Sequence, residues 1–141
     1  MIRKMQNTDI NRVADIWLKS NLKAHDFIPE QYWTSNYELV KEMMSQAEVY
    51  VYEDDKMIQG FVGLNAEYIE GIFVSDEMQS CGIGKLLLDY IKDKKVSLRL
   101  NVYQKNARAI SFYQREGSII QCEDLDEDTG EKEYTMLWKR K

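Results

Sequence analysis

The chain has 141 residues, 44% of them hydrophobic and 30% charged, with a formal net charge of −5. That balance suits one folded domain over residues 1–141 with its own core, and it excludes a disordered chain. The acidic excess argues against a nucleic-acid partner, and neither a membrane span of roughly 20 apolar residues nor the apolar stretch of a signal peptide is present, so a cytoplasmic protein is expected.

The single histidine, His25, and the isolated Cys81 and Cys122 supply neither a metal-ligand set nor a disulfide framework, so no metal is expected. In chain order, Ile2 to Met5 reads as a short strand. Thr8 is placed to cap a helix on which Ile10, Val13, Ala14 and Trp17 recur at helical spacing. Pro29 suits the first turn of a second helical stretch. Ser35 and Glu38 form a capping-box pattern where that stretch restarts, and Leu39, Val40, Met43, Met44 and Ala47 continue its apolar face.

From Val49 the pattern becomes VYVY, a polar turn at 53–56, then MIQGFVGL, which reads as a hairpin. A third strand runs from about Glu67 to Val74. The clearest helix follows, with Ile83, Leu86, Leu87, Tyr90 and Ile91 placed on one face. Val96, Leu98, Leu100 and Val102 alternate as a strand should. A helix from Asn106 stops at Gly117, and two strands, near 119–125 and 134–138, flank the acidic turn DEDTGEK. The order predicts an α/β fold built on one largely antiparallel sheet.

The segment QSCGIGK joins the third strand to the clearest helix. Its glycines allow a tight curl with several N–H groups pointing one way, and the helix start adds the positive end of its dipole; an anion such as a pyrophosphate suits that place. A Walker loop is excluded because Gln79 stands where its first glycine would be and Leu86 follows the lysine. A dinucleotide fingerprint is excluded by Leu87.

The stretch IFVSDEMQSCGIGKLLLDYI, through Gln79, Gly82 and Gly84, closely resembles the signature of the GNAT N-acetyltransferases. NARAISFYQREG resembles the family's second element through Asn106, Ala109 and Tyr113, ending at Gly117; Ser118 departs from the usual Phe. The resemblance implies a mostly antiparallel sheet of about seven strands, splayed in the middle, with helices on both faces. It implies transfer of an acetyl group from acetyl-CoA to a primary amine by direct attack. A non-catalytic acyl-CoA-binding regulatory module is the alternative.

The same resemblance implies that Ile72, Phe73 and Val74 meet the pantetheine arm. Gln79, Ser80, Cys81, Gly82, Ile83, Gly84 and Lys85 would meet the pyrophosphate. Asn106 would bond the pantetheine amides and Tyr113 would be the general acid for the departing thiolate. Glu70, four residues before Val74, is expected on the same strand face and is the candidate base, directly or through water, with His25 the alternative and Glu67 on the other face. Tyr68 shares the Glu70 face. His25, Phe27, Tyr32 and Trp33 are expected to shape the acceptor pocket, meeting Tyr68 and Glu70 across the sheet. The acceptor could be a protein lysine, an N-terminus or a small cationic amine, and the protein a monomer or homodimer.

Overall fold

The computed structural model describes residues 1–141. Its strands are β1 (Ile2–Lys4), β2 (Glu48–Asp54), β3 (Met57–Asn65), β4 (Tyr68–Val74), β5 (Ser97–Tyr103), β6 (Ile119–Leu125) and β7 (Lys132–Lys139). Its helices are α1 (Ile10–Ala24), α2 (Glu30–Ser35), α3 (Tyr37–Gln46), α4 (Ile83–Lys92) and α5 (Ala107–Arg115). The seven strands form one sheet in the order β1-β2-β3-β4-β5-β7-β6, and only β4 and β5 run parallel. No helix is long and apolar enough to cross a membrane.

Strand alternation divides the interior in two. On β3, Ile58 and Phe61 join Val13, Ile16 and Met44 of α1 and α3 on one face of the sheet. Val62 and Leu64 point the other way, into a larger core with Ile83, Leu87, Leu88 and Ile91 of α4 and Leu98, Leu100 and Val102 of β5. The hairpin between β2 and β3 turns through Asp55 and Lys56, whose φ values of 50° and 65° match the twist of the flanking strands.

Four local expectations differ. Thr8 does not cap α1; it lies in a short 3₁₀ turn at Asn7–Asp9, where the Asp9 carboxylate accepts the Gln6 N–H at 2.8 Å. The break between α2 and α3 occurs, but Ser35 Oγ turns back to the Gln31 carbonyl at 2.6 Å and Asn36 precedes α3. On α4 the core face takes Leu88, whereas Leu86 is 48% exposed. A wide sheet needs a broad apolar stripe, and the 83/87/88/91 set covers it. Val96 lies before β5 and is exposed.

Two irregularities shape the middle of the sheet. The parallel strands β4 and β5 pair only at Tyr68↔Arg99 and Ile69↔Leu100, then diverge. On the other side of β4, Gly63 pairs with Gly71 but Leu64 pairs with Ile69, so Glu70 is an extra residue in a β-bulge. The bulge resets the side-chain alternation: Ile69 and Ile72 both face the α4 core, while Phe73 packs on the α1–α3 face.

Leu88→Ala should cost about 2–5 kcal/mol by leaving a cavity. Leu86→Ala should stay within about 0.5 kcal/mol. Urea unfolding of the two variants distinguishes this packing from one with Leu86 in the core.

Candidate active site

A groove of about 1010 Å³ runs from the end of β4, across the start of α4, to α5. Its floor includes Ile72, Phe73 and Val74. Ser75 directs its N–H to the Gln59 carbonyl of β3 at 2.8 Å, so by alternation Val74 and Ile72 turn theirs toward the splay. The Val74 carbonyl accepts from Gln79 Nε2 at 3.3 Å, which holds the loop against the strand end.

The loop itself is curled by left-handed residues, Ser80 at φ 67° and Gly82 at φ 83°. No atom lies within 4 Å of where a Gly82 Cβ would stand, so its backbone is open to a ligand. The first hydrogen bond of α4 joins Leu86 N–H to the Gly82 carbonyl at 3.1 Å, leaving the N–H groups of Ile83, Gly84 and Lys85 without helical partners. These are donors suited to a diphosphate.

Lys23, Lys85, Lys105, Arg108 and Arg115 line this groove. Lys23 pairs with Asp76, Lys85 with Asp89 and Glu116, and Lys105 with Glu131, whereas Arg108 and Arg115 make no ion pair. In a chain of net charge −5, the two arginines leave unpaired positive charge where the helix dipole already favours an anion. Arg108 donates to Gln79 Oε1 at 2.7 Å and to Ser80 Oγ at 3.2 Å, tying α5 to the loop. Cys81 does not line the groove; it is exposed, with Sγ directed at the Gln79 carbonyl.

On the opposite wall, Asn106 caps α5, its Oδ1 accepting the Ala109 N–H at 3.2 Å. Its Nδ2 lies 3.0 Å from His25 Nε2, and His25 Nδ1 lies 2.9 Å from Asn21 Oδ1. Both ring nitrogens of His25 are thus occupied, and burial pushes its pKa down to about 4, so the ring is neutral at neutral pH. Tyr113 is 7% exposed and lines the groove floor. Burial, then the neighbouring Tyr68 phenol, raises its pKa above the ordinary tyrosine range, so the hydroxyl keeps its proton throughout the neutral range.

A second groove, of about 510 Å³, lies on the other face between α3 and strands β2 to β4. Trp17, Val40, Met43, Phe61 and Phe73 give it apolar walls, and Glu70 supplies a carboxylate. Glu70 therefore does not share the face of Val74. The expected period-two alternation is broken by the bulge at Glu70 itself. The groove walls desolvate its carboxyl and raise its pKa above the ordinary carboxylate value. Phe73 lines both grooves, its ring lying over Gly71, where a Cβ would come within 2.3 Å of it.

His25, Phe27, Tyr32 and Trp33 do come together. His25 stacks on Trp33 at 5.6 Å between centroids and meets Phe27 at 5.7 Å, and Tyr32 meets Trp33 at 4.9 Å. This cluster does not share a cavity with Glu70, and His25 itself lines the first groove. Tyr68 lies nearer the splay, where burial, then Glu70 and Glu133, pushes its phenol up to about 12.

The model of the acetyltransferase (GNAT) domain matches residues 45–117, more than half of the chain and the span that contains both glycines of the loop, Asn106 and Tyr113. The chain belongs to the GNAT acetyltransferase family. It is 35% identical over 141 residues to the peptidyl-lysine N-acetyltransferase YiaC of Escherichia coli (strain K12), covering 98% of this chain and 96% of that protein. The solution structure of apo YjaB from Escherichia coli superposes with a TM-score of 0.87 at 22% identity, covering 100% of this chain and 98% of that one. The structure of yncA from Salmonella typhimurium with acetyl-CoA has a TM-score of 0.71 at 16% identity, covering 100% and 94%. The seven-stranded, mostly antiparallel sheet with helices on both faces is the GNAT fold.

Within this GNAT chain, three site residues escape a reading of the sequence. Arg108 occupies a variable position of the second motif, and only its place on the first turn of α5, facing the loop, hints at its bonds. Tyr103 joins the aromatic cluster at 5.0 Å from His25 and donates to Asp126 at 2.6 Å, a contact set by the sheet order. Glu133 of β7 accepts from Asn101 Nδ2 at 2.8 Å beside the splay.

Gly82→Ala should weaken coenzyme A binding by about tenfold, because a side chain at φ 83° costs about 1–2 kcal/mol and crowds the loop's open backbone. Calorimetry showing unchanged affinity would place the anion site elsewhere.

Proposed function

We propose that this chain, folded as one domain over residues 1–141, transfers an acetyl group from acetyl-CoA to the ε-amine of a protein lysine in the cytoplasm. The observation that carries this reading is the meeting of two unlike grooves at Phe73. One is basic and lined with unpaired N–H groups; the other is apolar and holds a carboxylate. The likeness to a peptidyl-lysine N-acetyltransferase over nearly the whole chain supports a lysine acceptor. So does the second groove, whose apolar walls suit four methylenes and whose Glu70 suits an ammonium.

The residues of the basic groove fit the co-substrate. The N–H groups at the start of α4 and the loop around Gly82 would hold its pyrophosphate, and Arg108 and Arg115, which make no ion pair, would meet its phosphate charge. Asn106, Ile72 and Val74 would bond the amides of the pantetheine arm. When bound, acetyl-CoA supplies an acyl carbon activated by a thiolate leaving group. The Val74 N–H, turned into the splay, is a fixed donor for oxygen charge developing on that carbonyl.

An alkylammonium has a pKa of about 10.4 and must lose a proton before it can attack. Glu70 is the base for that proton, its raised pKa bringing it closer to the neutral range where a base works best. Tyr113, always protonated at neutral pH, is the proton donor for the departing sulfur. Its burial, and next the neighbouring Tyr68 phenol, make phenolate formation costly, so the proton leaves only as the thiolate takes it. Of the aromatic cluster around Trp33, His25 reaches the basic groove.

Tyr113→Phe should lower turnover by about 10²–10⁴ with little change in acetyl-CoA affinity. Single-turnover kinetics with a lysine peptide checks it, and undiminished chemistry would reduce Tyr113 to packing. For Glu70 the sign follows from its raised pKa: ionisation, and with it base strength, appears as pH rises through that value. Glu70→Gln should lose most activity between about pH 6 and 8 and recover toward pH 10, where free amine becomes abundant. A pH–rate profile parallel to that of the unsubstituted protein would exclude Glu70 as the base.

A further inference from the structure

Two backbone groups determine how His25 must be protonated. At one end, the Trp17 carbonyl can only accept, so the Asn21 atom 2.9 Å from it is Nδ2. Asn21 Oδ1 therefore faces His25 Nδ1 and makes that nitrogen a donor. At the other end, the Ala109 N–H can only donate, so the Asn106 atom facing it is Oδ1. Asn106 Nδ2 therefore faces His25 Nε2 and makes that nitrogen an acceptor. The two constraints agree on one neutral tautomer, with the proton on Nδ1. A continuous, one-directional chain of hydrogen bonds then runs from α1 through His25 to the cap of α5.

We propose that His25 is a positioning residue, which as the Nδ1–H tautomer fixes the Asn106 amide so that its second amide hydrogen and remaining oxygen lone pair face the cofactor groove. The inference rests on the reading of that groove as the acetyl-CoA site. Asn21, 3% exposed, sets the tautomer, and the stacking of His25 on Trp33 sets the ring plane. Protonation of Nε2 would point an N–H at the Nδ2 donor and release Asn106. Burial of the ring opposes that protonation. Asn106 keeps a defined orientation before any ligand arrives, so less ordering is left to the binding event.

His25 is the only histidine of the chain, so its imidazole ¹⁵N resonances report on this site alone. At pH 7 the intact protein should give a protonated Nδ1 and an unprotonated Nε2. The opposite tautomer, or an exchanging mixture, would overturn the proposal. His25→Phe keeps a ring against Trp33 but removes the acceptor. It should raise the KM for acetyl-CoA by about tenfold with kcat kept within about twofold, the loss expected of one hydrogen-bonded group. His25→Gln, which can return an oxygen to the Nε2 position, should recover most of that loss. In an Asn106→Ala background, His25→Phe should add nothing further; an independent, additive loss would overturn the inference. Asn106→Ala alone separates the two failures. If it leaves acetyl-CoA affinity unchanged, the reading of Asn106 as a ligand fails and the proposal falls with it. If it weakens affinity while His25→Phe does not, only the positioning role of His25 fails.

Discussion

Two neighbouring strands stop pairing halfway along their length, and most of the site follows from that. Beyond Ile69↔Leu100, β4 and β5 leave facing rows of backbone N–H and C=O groups without sheet partners. Such groups cannot stay unsatisfied in a folded interior, so they turn to side chains, water or a ligand. Gln79 takes the Val74 carbonyl, and the remaining outward groups of β4 line the basic groove. A substrate with its own amides can complete an edge of this kind as an added strand would.

The bulge at Glu70 performs the complementary task. Without the extra residue, Glu70 would sit with Ile72 and Val74 on the α4 face, where burial of an unpaired carboxylate is costly. Inserted as a bulge, it moves to the α1–α3 face and opens onto the apolar groove. Gly71 follows directly and leaves the space that the Phe73 ring occupies. One irregular dipeptide thus separates the side of the sheet that carries the basic groove from the side that carries the Glu70 carboxylate. Phe73 is the single residue lining both.

Charge around the first groove is arranged locally. Five basic residues border the first groove although acidic residues outnumber basic ones over the chain. The acidic turn after β6 is engaged through Asp126 with Tyr103, at the edge of the aromatic cluster.

Local sequence determined most of the elements and the curl of the loop before α4. The spacing of Leu98, Leu100 and Val102, the stop at Gly117, and Gly82 before α4 each act over a few residues, where backbone sterics and periodicity decide the outcome. Tyr113 and Asn106 stood out for a different reason, the resemblance of the segment around them to the second GNAT motif. Tertiary structure alone decided the rest. The face of Glu70 depends on a register slip against β3, and a two-residue alternation read along β4 misses it. The engagement of His25 depends on Asn106, 81 residues away, and the position of Tyr103 beside it on the order of the strands. Leu88 rather than Leu86 enters the core because the width of the sheet beneath α4, which no stretch of ten residues encodes, sets which side of the helix is covered.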